Sequence, residues 1–166
     1  MKISSATVKA LNNQIAMEAD ASNYYLSMAS WCEQTGYEGA AKFFYGHSEE
    51  ERQHMLKIVR FINGVGVTAV IPQAKQPPKT FKSLESVIKT ALKNEQAVTV
   101  SIHKLSELVR KQKDYSTSSL LEWFVNEQVE EEQLFEGILQ KFSLIGHDKL
   151  AVYEIDKILG NMTSES

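Results

Sequence analysis

Four long stretches of this sequence place apolar residues in alternating steps of three and four, and each breaks that rhythm near its middle with an acidic or amide side chain. In the second stretch the register reads Phe44, His47, Glu51, His54, Ile58, Phe61 and Val65. Such spacing lays these residues along one stripe of a helix, the stripe that a bundle turns inward. Glu51 and His54 lie one turn apart on that stripe, so a carboxylate and an imidazole interrupt an apolar seam. A chain with this pattern must bundle its helices, and it must also offset the cost of burying charge.

The other stretches repeat the arrangement. Residues 6–34 carry Val8, Leu11, Ile15, Glu18, Ser22, Tyr25, Ala29 and Cys32 on one seam; Ser4 or Ser5 can cap the start and Gly36 can end the helix in a left-handed conformation. A short link then leads to a helix over residues 38–63, antiparallel to the first. All three prolines, Pro72, Pro77 and Pro78, fall in the connector 65–82. A helix of about 26 residues is roughly 39 Å long, and an extended connector of about 18 residues reaches as far as about 60 Å. A connector able to run the length of the bundle makes the second and third helices parallel.

The third helix begins after Ser83 and has the seam Leu84, Ile88, Ala91, Glu95, Val98, Ile102, Leu105, Val109. After a turn at 113–116, the fourth reads Leu121, Phe124, Gln128, Glu131, Phe135, Ile138, Phe142, Ile145 and stops at Gly146. A short amphipathic helix at 149–159 follows, with Asp148 as its cap, and a polar tail occupies 161–166. The expected fold is therefore all-α: one domain spanning 1–166, with a four-helix bundle over 6–145, a long crossover between helices two and three, and a short fifth helix.

Composition narrows the function. At 166 residues and 43% apolar content the chain can bury a core without staples. A net charge of −3, with no run of Lys or Arg, gives no nucleic-acid surface. No stretch is apolar for long enough to span a membrane. The single thiol, Cys32, and an N-terminus without an apolar signal core point to the reducing cytoplasm.

Glu18, Glu51 with His54, Glu95, and Gln128 with Glu131 thus lie on the inward stripes of four helices. Glu18 and Glu95, Glu51 and Gln128, His54 and Glu131, and Glu50 and Glu127 are all separated by 77 positions, so the second helix pair echoes the first. No seam position carries a Lys or Arg. Buried carboxylates without such partners must hold protons or metal cations, and oxygen ligands with one imidazole suit Fe or Mn, with Zn admissible. Two ions bridged by Glu51 and Glu131 would use the pseudo-two-fold symmetry.

This pattern resembles the ferritin-like di-metal carboxylate bundles, built from one Glu on each of two helices and Glu-x-x-His on each of the other two. Glu18 and Glu95 match the single glutamates, and Glu51-x-x-His54 matches the first pair. The second pair departs, reading Gln128-x-x-Glu131, which resembles the bacterial non-haem ferritins. The strings Glu38-Gly39-Ala40-Ala41, Asn126-Glu127-Gln128 and Glu130-Glu131-Glu132 resemble them too. Arg52 stands where a bacterioferritin would carry its haem-ligating Met, so no haem is expected, and one cysteine excludes a rubrerythrin iron domain.

The resemblance implies a homo-oligomeric cage of twenty-four subunits that takes up ferrous iron, oxidises it with dioxygen or peroxide, and stores ferric mineral. It implies one iron site at Glu18, Glu51 and His54 and another at Glu51, Glu95 and Glu131, with Gln128 ligating weakly or hydrogen-bonding the oxygen species. An accessory third site at Glu50, Glu127 and Glu130 would face the cavity. Tyr25, two turns from Glu18, would hydrogen-bond a ligand carboxylate and could donate an electron. His47 reads as a structural histidine. Alternatives are a di-iron or di-manganese oxidoreductase with a retained cofactor, and a haem-free bacterioferritin-like protein. A helical cytokine would share the long crossover but has no use for buried glutamates.

Overall fold

Ser4 has extended backbone and its hydroxyl accepts a hydrogen bond from the Thr7 amide at 3.0 Å, which starts helix α1 (Ser5–Thr35). Gly36, at φ 97°, ends it. The computed structural model describes residues 3–162; Met1, Lys2 and residues 163–166, the end of the expected polar tail, lie outside the described residues. Helices α2 (Glu38–Gly64), α3 (Leu84–Lys111), α4 (Tyr115–Ile145) and α5 (Lys149–Gly160) follow. Ser83 and Ser86 exchange hydrogen bonds in a capping box at the start of α3, while Asp114 and Asp148 cap α4 and α5.

Helix α2 lacks a side-chain cap of its own at Tyr37. Asp156 of α5 supplies one: its carboxylate accepts from the Gly39 and Ala40 amides at 3.2 and 2.8 Å. A negative charge at a helix N-terminus is favourable, so this contact ties the short last helix to the bundle end. The helices approach so closely there that a Cβ on Gly39 would lie 1.9 Å from the Asp156 carbonyl oxygen.

The connector between α2 and α3 runs along α1. The Val70 amide donates to Asn12 Oδ1, Lys75 pairs with Asp20, the Ser27 hydroxyl bonds to the Pro78 carbonyl, and Phe81 meets Trp31 edge-on. These contacts climb α1 from one end to the other. The chain therefore returns to the end where α2 began, and α2 and α3 run parallel, as expected of the long crossover.

Two apolar clusters fill the bundle. One gathers Tyr25, Met28, Phe44, Ile88, Phe135 and Phe142 near α5; the other gathers Leu11, Ile15, Ile58, Ile102, Leu121 and Phe124 toward the far end. Between them lies a buried polar layer. The seams drift at their ends: Thr7 and Ile62 are fully buried where Val8 and Phe61 were expected inward, and Ile145 is exposed. A straight helix at 3.6 residues per turn slips about 20° per heptad against a strict seven-residue repeat, which moves the inward position by one residue. Among the described residues, no helix is long and apolar enough to cross a membrane.

Candidate metal centre

The polar layer consists of Glu18 from α1, His47, Glu51 and His54 from α2, Glu95 from α3, and Gln128 and Glu131 from α4, all at most 8% exposed. Glu18, Glu51 and His54 offer ligand atoms that lie within 4.8 Å of one another. His54 Nδ1 stands 3.3 Å from Glu51 Oε2 and 3.9 Å from Glu18 Oε2, and its Nε2 lies 3.8 Å from Glu127 Oε2. The ring sits edge-on to Trp123 and Phe124, which fixes its plane.

The second half is arranged differently. Tyr25, whose ring forms a near-parallel trio with Phe44 and Phe135, donates its hydroxyl to Glu95 Oε1. The Gln128 amide nitrogen donates to Glu95 Oε2 at 3.1 Å, to the Glu95 carbonyl at 3.1 Å and to Thr99 Oγ1 at 3.2 Å. Gln128 thus holds Glu95 in place and presents a donor to it. Glu131 turns its Oε2 toward His47 Nε2, 3.4 Å away. Of the proposed accessory residues, Glu50, Glu127 and Glu130 all line the groove between α2 and α4 onto which His47, His54 and Glu131 also open.

Burial and mutual repulsion raise the carboxyl groups. Desolvation, then the neighbouring Glu51 charge, holds Glu18 well above the usual carboxylate range. Glu51 is raised in the same way by burial and by Glu95. Glu95 is pushed up to about 7 by burial and Glu131, against the lowering pull of its bonds from Tyr25 and Gln128. Burial pulls the His47 imidazole down, but the Glu131 and Glu50 carboxylates outweigh it and leave the imidazole raised. Among the described residues, the lysine ion pairs are to Asp20, Glu85 and Glu154, none of them in this layer. The carboxylates of this layer thus have no lysine or arginine ion pair among the described residues, a deficit that a metal ion would satisfy.

One contributor had no reading from sequence. Gln14, fully buried, donates through Nε2 to Glu18 Oε1 at 2.7 Å and accepts from the Ser101 hydroxyl at 2.6 Å. It lies one turn before Glu18, beside the seam residue Ile15. The only available signal was an i, i+4 amide–carboxylate pair, a spacing equally common on solvated faces.

A four-helix bundle that converges glutamates and histidines in its interior, with no buried lysine or arginine among the described residues, has the architecture of the metal-carboxylate bundles and a group that could hold a metal ion. A family model of the ferritin-like domain matches residues 8–145. The chain is 42% identical over 164 residues to a probable bacterial non-heme ferritin-like protein of Haemophilus influenzae, covering 99% of each. It is 41% identical over 160 residues to the bacterial non-heme ferritin of Campylobacter jejuni, covering 96% of each. An open pore ferritin from the archaeon Archaeoglobus fulgidus superposes with a TM-score of 0.94 at 34% identity, covering 98% of this chain and 100% of that one. The chain belongs to the ferritin family, and that membership together with the buried carboxylate–histidine group supports iron storage.

Proposed function

We propose that the protein is a ferroxidase of the bacterial non-haem ferritin type, which oxidises ferrous iron inside the bundle and stores the ferric product as mineral in a cage of its own subunits. The observation that supports this reading most is the buried cluster of Glu18, Glu51 and His54. Its two carboxylates and one imidazole suit Fe(II), and among the described residues no lysine or arginine ion pair involves them.

Iron is the substrate. One ferrous ion binds Glu18, Glu51 and His54, and a second binds Glu51, Glu95 and Glu131, so that Glu51 belongs to both. Each ion gives up one electron. With dioxygen, a pair of ferrous ions and two protons yield a pair of ferric ions and hydrogen peroxide; with peroxide as the oxidant, the same pair and two protons yield two waters. The clustered carboxylates favour the ferric state because its higher charge offsets their repulsion more fully. Gln128, neutral where a symmetric site would carry a carboxylate, removes one negative charge from the second position and lets ferric iron leave. Tyr25 positions Glu95, and its buried phenol is placed to supply an electron when only one ion is bound.

Glu50, Glu127 and Glu130 form an accessory iron site on the groove. The assembly is a homo-oligomer of twenty-four subunits without haem, working in the cytoplasm. The test is to add ferrous iron with oxygen to the purified protein while following ferric absorbance and particle size. Uptake of many irons into a large, discrete particle is expected. A monomer-sized protein, or one that retains a pair of irons and mineralises no more, contradicts the storage reading.

A further inference from the structure

The two glutamates that stand singly on their helices, Glu18 and Glu95, are held by different partners. Gln14, one turn before Glu18 on α1 and 1% exposed, donates from Nε2 to Glu18 Oε1 at 2.7 Å. Its own Oε1 accepts from the Ser101 hydroxyl of α3 at 2.6 Å. An amide offers a donor on one side and an acceptor on the other, so a hydroxyl that donates to Gln14 Oε1 turns the NH2 toward the carboxylate. Glu18 Oε1 is thereby engaged, and Oε2 is the oxygen turned toward His54 Nδ1, 3.9 Å away. The same nitrogen lies 3.3 Å from Glu51 Oε2.

The 77-residue echo between the helix pairs does not repeat this arrangement. Gln14 maps onto Ala91 and Ser101 onto Tyr24, so no amide precedes Glu95 by one turn. Glu95 instead accepts from Tyr25 on Oε1 and from Gln128 on Oε2, and both of its oxygens are engaged. Of the two glutamates, Glu18 alone has an oxygen that neither an amide nor a phenol holds among the described residues. Helix packing by itself does not call for the chain from Ser101 through Gln14: the fully buried Ala91 fills the corresponding place, and an apolar side chain at position 14 would bury no polar atoms.

We infer that Gln14, oriented by Ser101, is a positioning residue that makes Glu18 a one-oxygen ligand for the ferrous ion at the Glu18–Glu51–His54 cluster. The inference rests on the proposed function and specifies how its first iron position is built. A carboxylate bound through both oxygens occupies two coordination positions; bound through Oε2 alone it occupies one and leaves the ion another for the oxidant. Ser101 acts from a different helix, so the amide cannot turn over without giving up a hydrogen bond at each end. Glu95, held on both oxygens, has no such division of labour, and the two halves of the centre are unequal in their supporting residues as well as at Gln128.

Crystals of the intact, metal-stripped protein soaked in Zn(II) and measured at the zinc edge give the first test. A peak about 2.0–2.2 Å from Glu18 Oε2, with Oε1 still on Gln14, is expected. An ion held through both Glu18 oxygens, or through Oε1, overturns the inference and spares the proposed function. No peak at the cluster overturns both. The second test is a double-mutant cycle on Zn(II) affinity at this cluster, measured by calorimetry. Gln14→Leu should weaken binding about tenfold or more and Ser101→Ala by less. Once residue 14 is leucine, Ser101→Ala should add nothing, because the hydroxyl acts through the amide; Ser101→Thr, which keeps the hydroxyl, should retain wild-type affinity. Additive losses from the two substitutions would mean that Ser101 acts on packing and would overturn the relay. Should a variant fail to assemble, the wild-type anomalous map alone decides.

Discussion

Replacing Glu95 by glutamine should make the metal-free protein more stable near neutral pH and leave it no more stable in mild acid. Glu95 is 2% exposed, and its pKa stands at about 7 against 4.5 for an unhindered glutamate. The folded chain therefore holds this proton more tightly than the unfolded chain. Stability from this group is fully present below 4.5 and is lost as pH rises through 7, because unfolding then releases the charge into water. The shift corresponds to roughly 3 kcal/mol at about pH 8, at about 1.36 kcal/mol per pKa unit, and to less than about 1 kcal/mol near pH 5.

The substituted amide carries no charge at any pH. It can still accept from Tyr25, but its NH2 then meets the Gln128 NH2 where a carboxylate oxygen accepted. One lost hydrogen bond costs about 1 kcal/mol. The balance is a gain of about 2 kcal/mol near pH 8 and none near pH 5. For a chain of this size that is a rise in melting temperature of about 4–8 °C. Calorimetry of the demetallated wild type and Glu95→Gln at both pH values measures it. No rise near pH 8, or an equal rise at both, would refute the picture of a buried, unpaired carboxylate.

Three other expectations concern residues around the site. Gln14→Leu removes the donor that favours ionised Glu18, so Zn(II) affinity at the Glu18–Glu51–His54 cluster should fall about tenfold or more by calorimetry, with helix content unchanged. Asp156→Ala strips the cap from α2 and should cost about 1–2 kcal/mol, seen as faster hydrogen exchange across α5 and the first turn of α2 than elsewhere. Gly39→Ala should release α5 more completely than Asp156→Ala, because its Cβ would overlap backbone that cannot rotate away; equal exchange rates in the two variants would contradict that ordering.

Much of this molecule was legible from residue spacing. The three-four rhythm located the helices because burying one stripe is what stabilises them, and Ser83, Asp148 and Gly36 marked their ends through local chemistry that needs no tertiary context. The connector's length and prolines foretold the crossover. The inward glutamates stood out because an acid on an apolar stripe has few inexpensive explanations.

What escaped notice depends on contacts between helices. Asp156 reads as an ordinary acid on a short helix, and only the approach of Gly39 to Gly160 reveals the α2 amides it caps. Gln128 matched the expected position, but which of its amide atoms faces Glu95 is set by Thr99 across the helix pair. His47 could be placed on the seam from sequence, while the direction of its Nε2 follows from a backbone bond to Phe43 and from where α4 sets Glu131.

The proposed ferroxidase reaction requires Glu51 and His54 to bind the iron that is oxidised. Ferrous iron added anaerobically in increments to the metal-free protein, followed by rapid mixing with oxygen, should give a fast ferric absorbance phase whose amplitude grows until a pair of ions per chain is bound and then stops. In Glu51→Ala and His54→Ala that phase should disappear, with the particle size of the wild type retained. A fast phase of wild-type amplitude and rate in both variants would place the oxidation elsewhere.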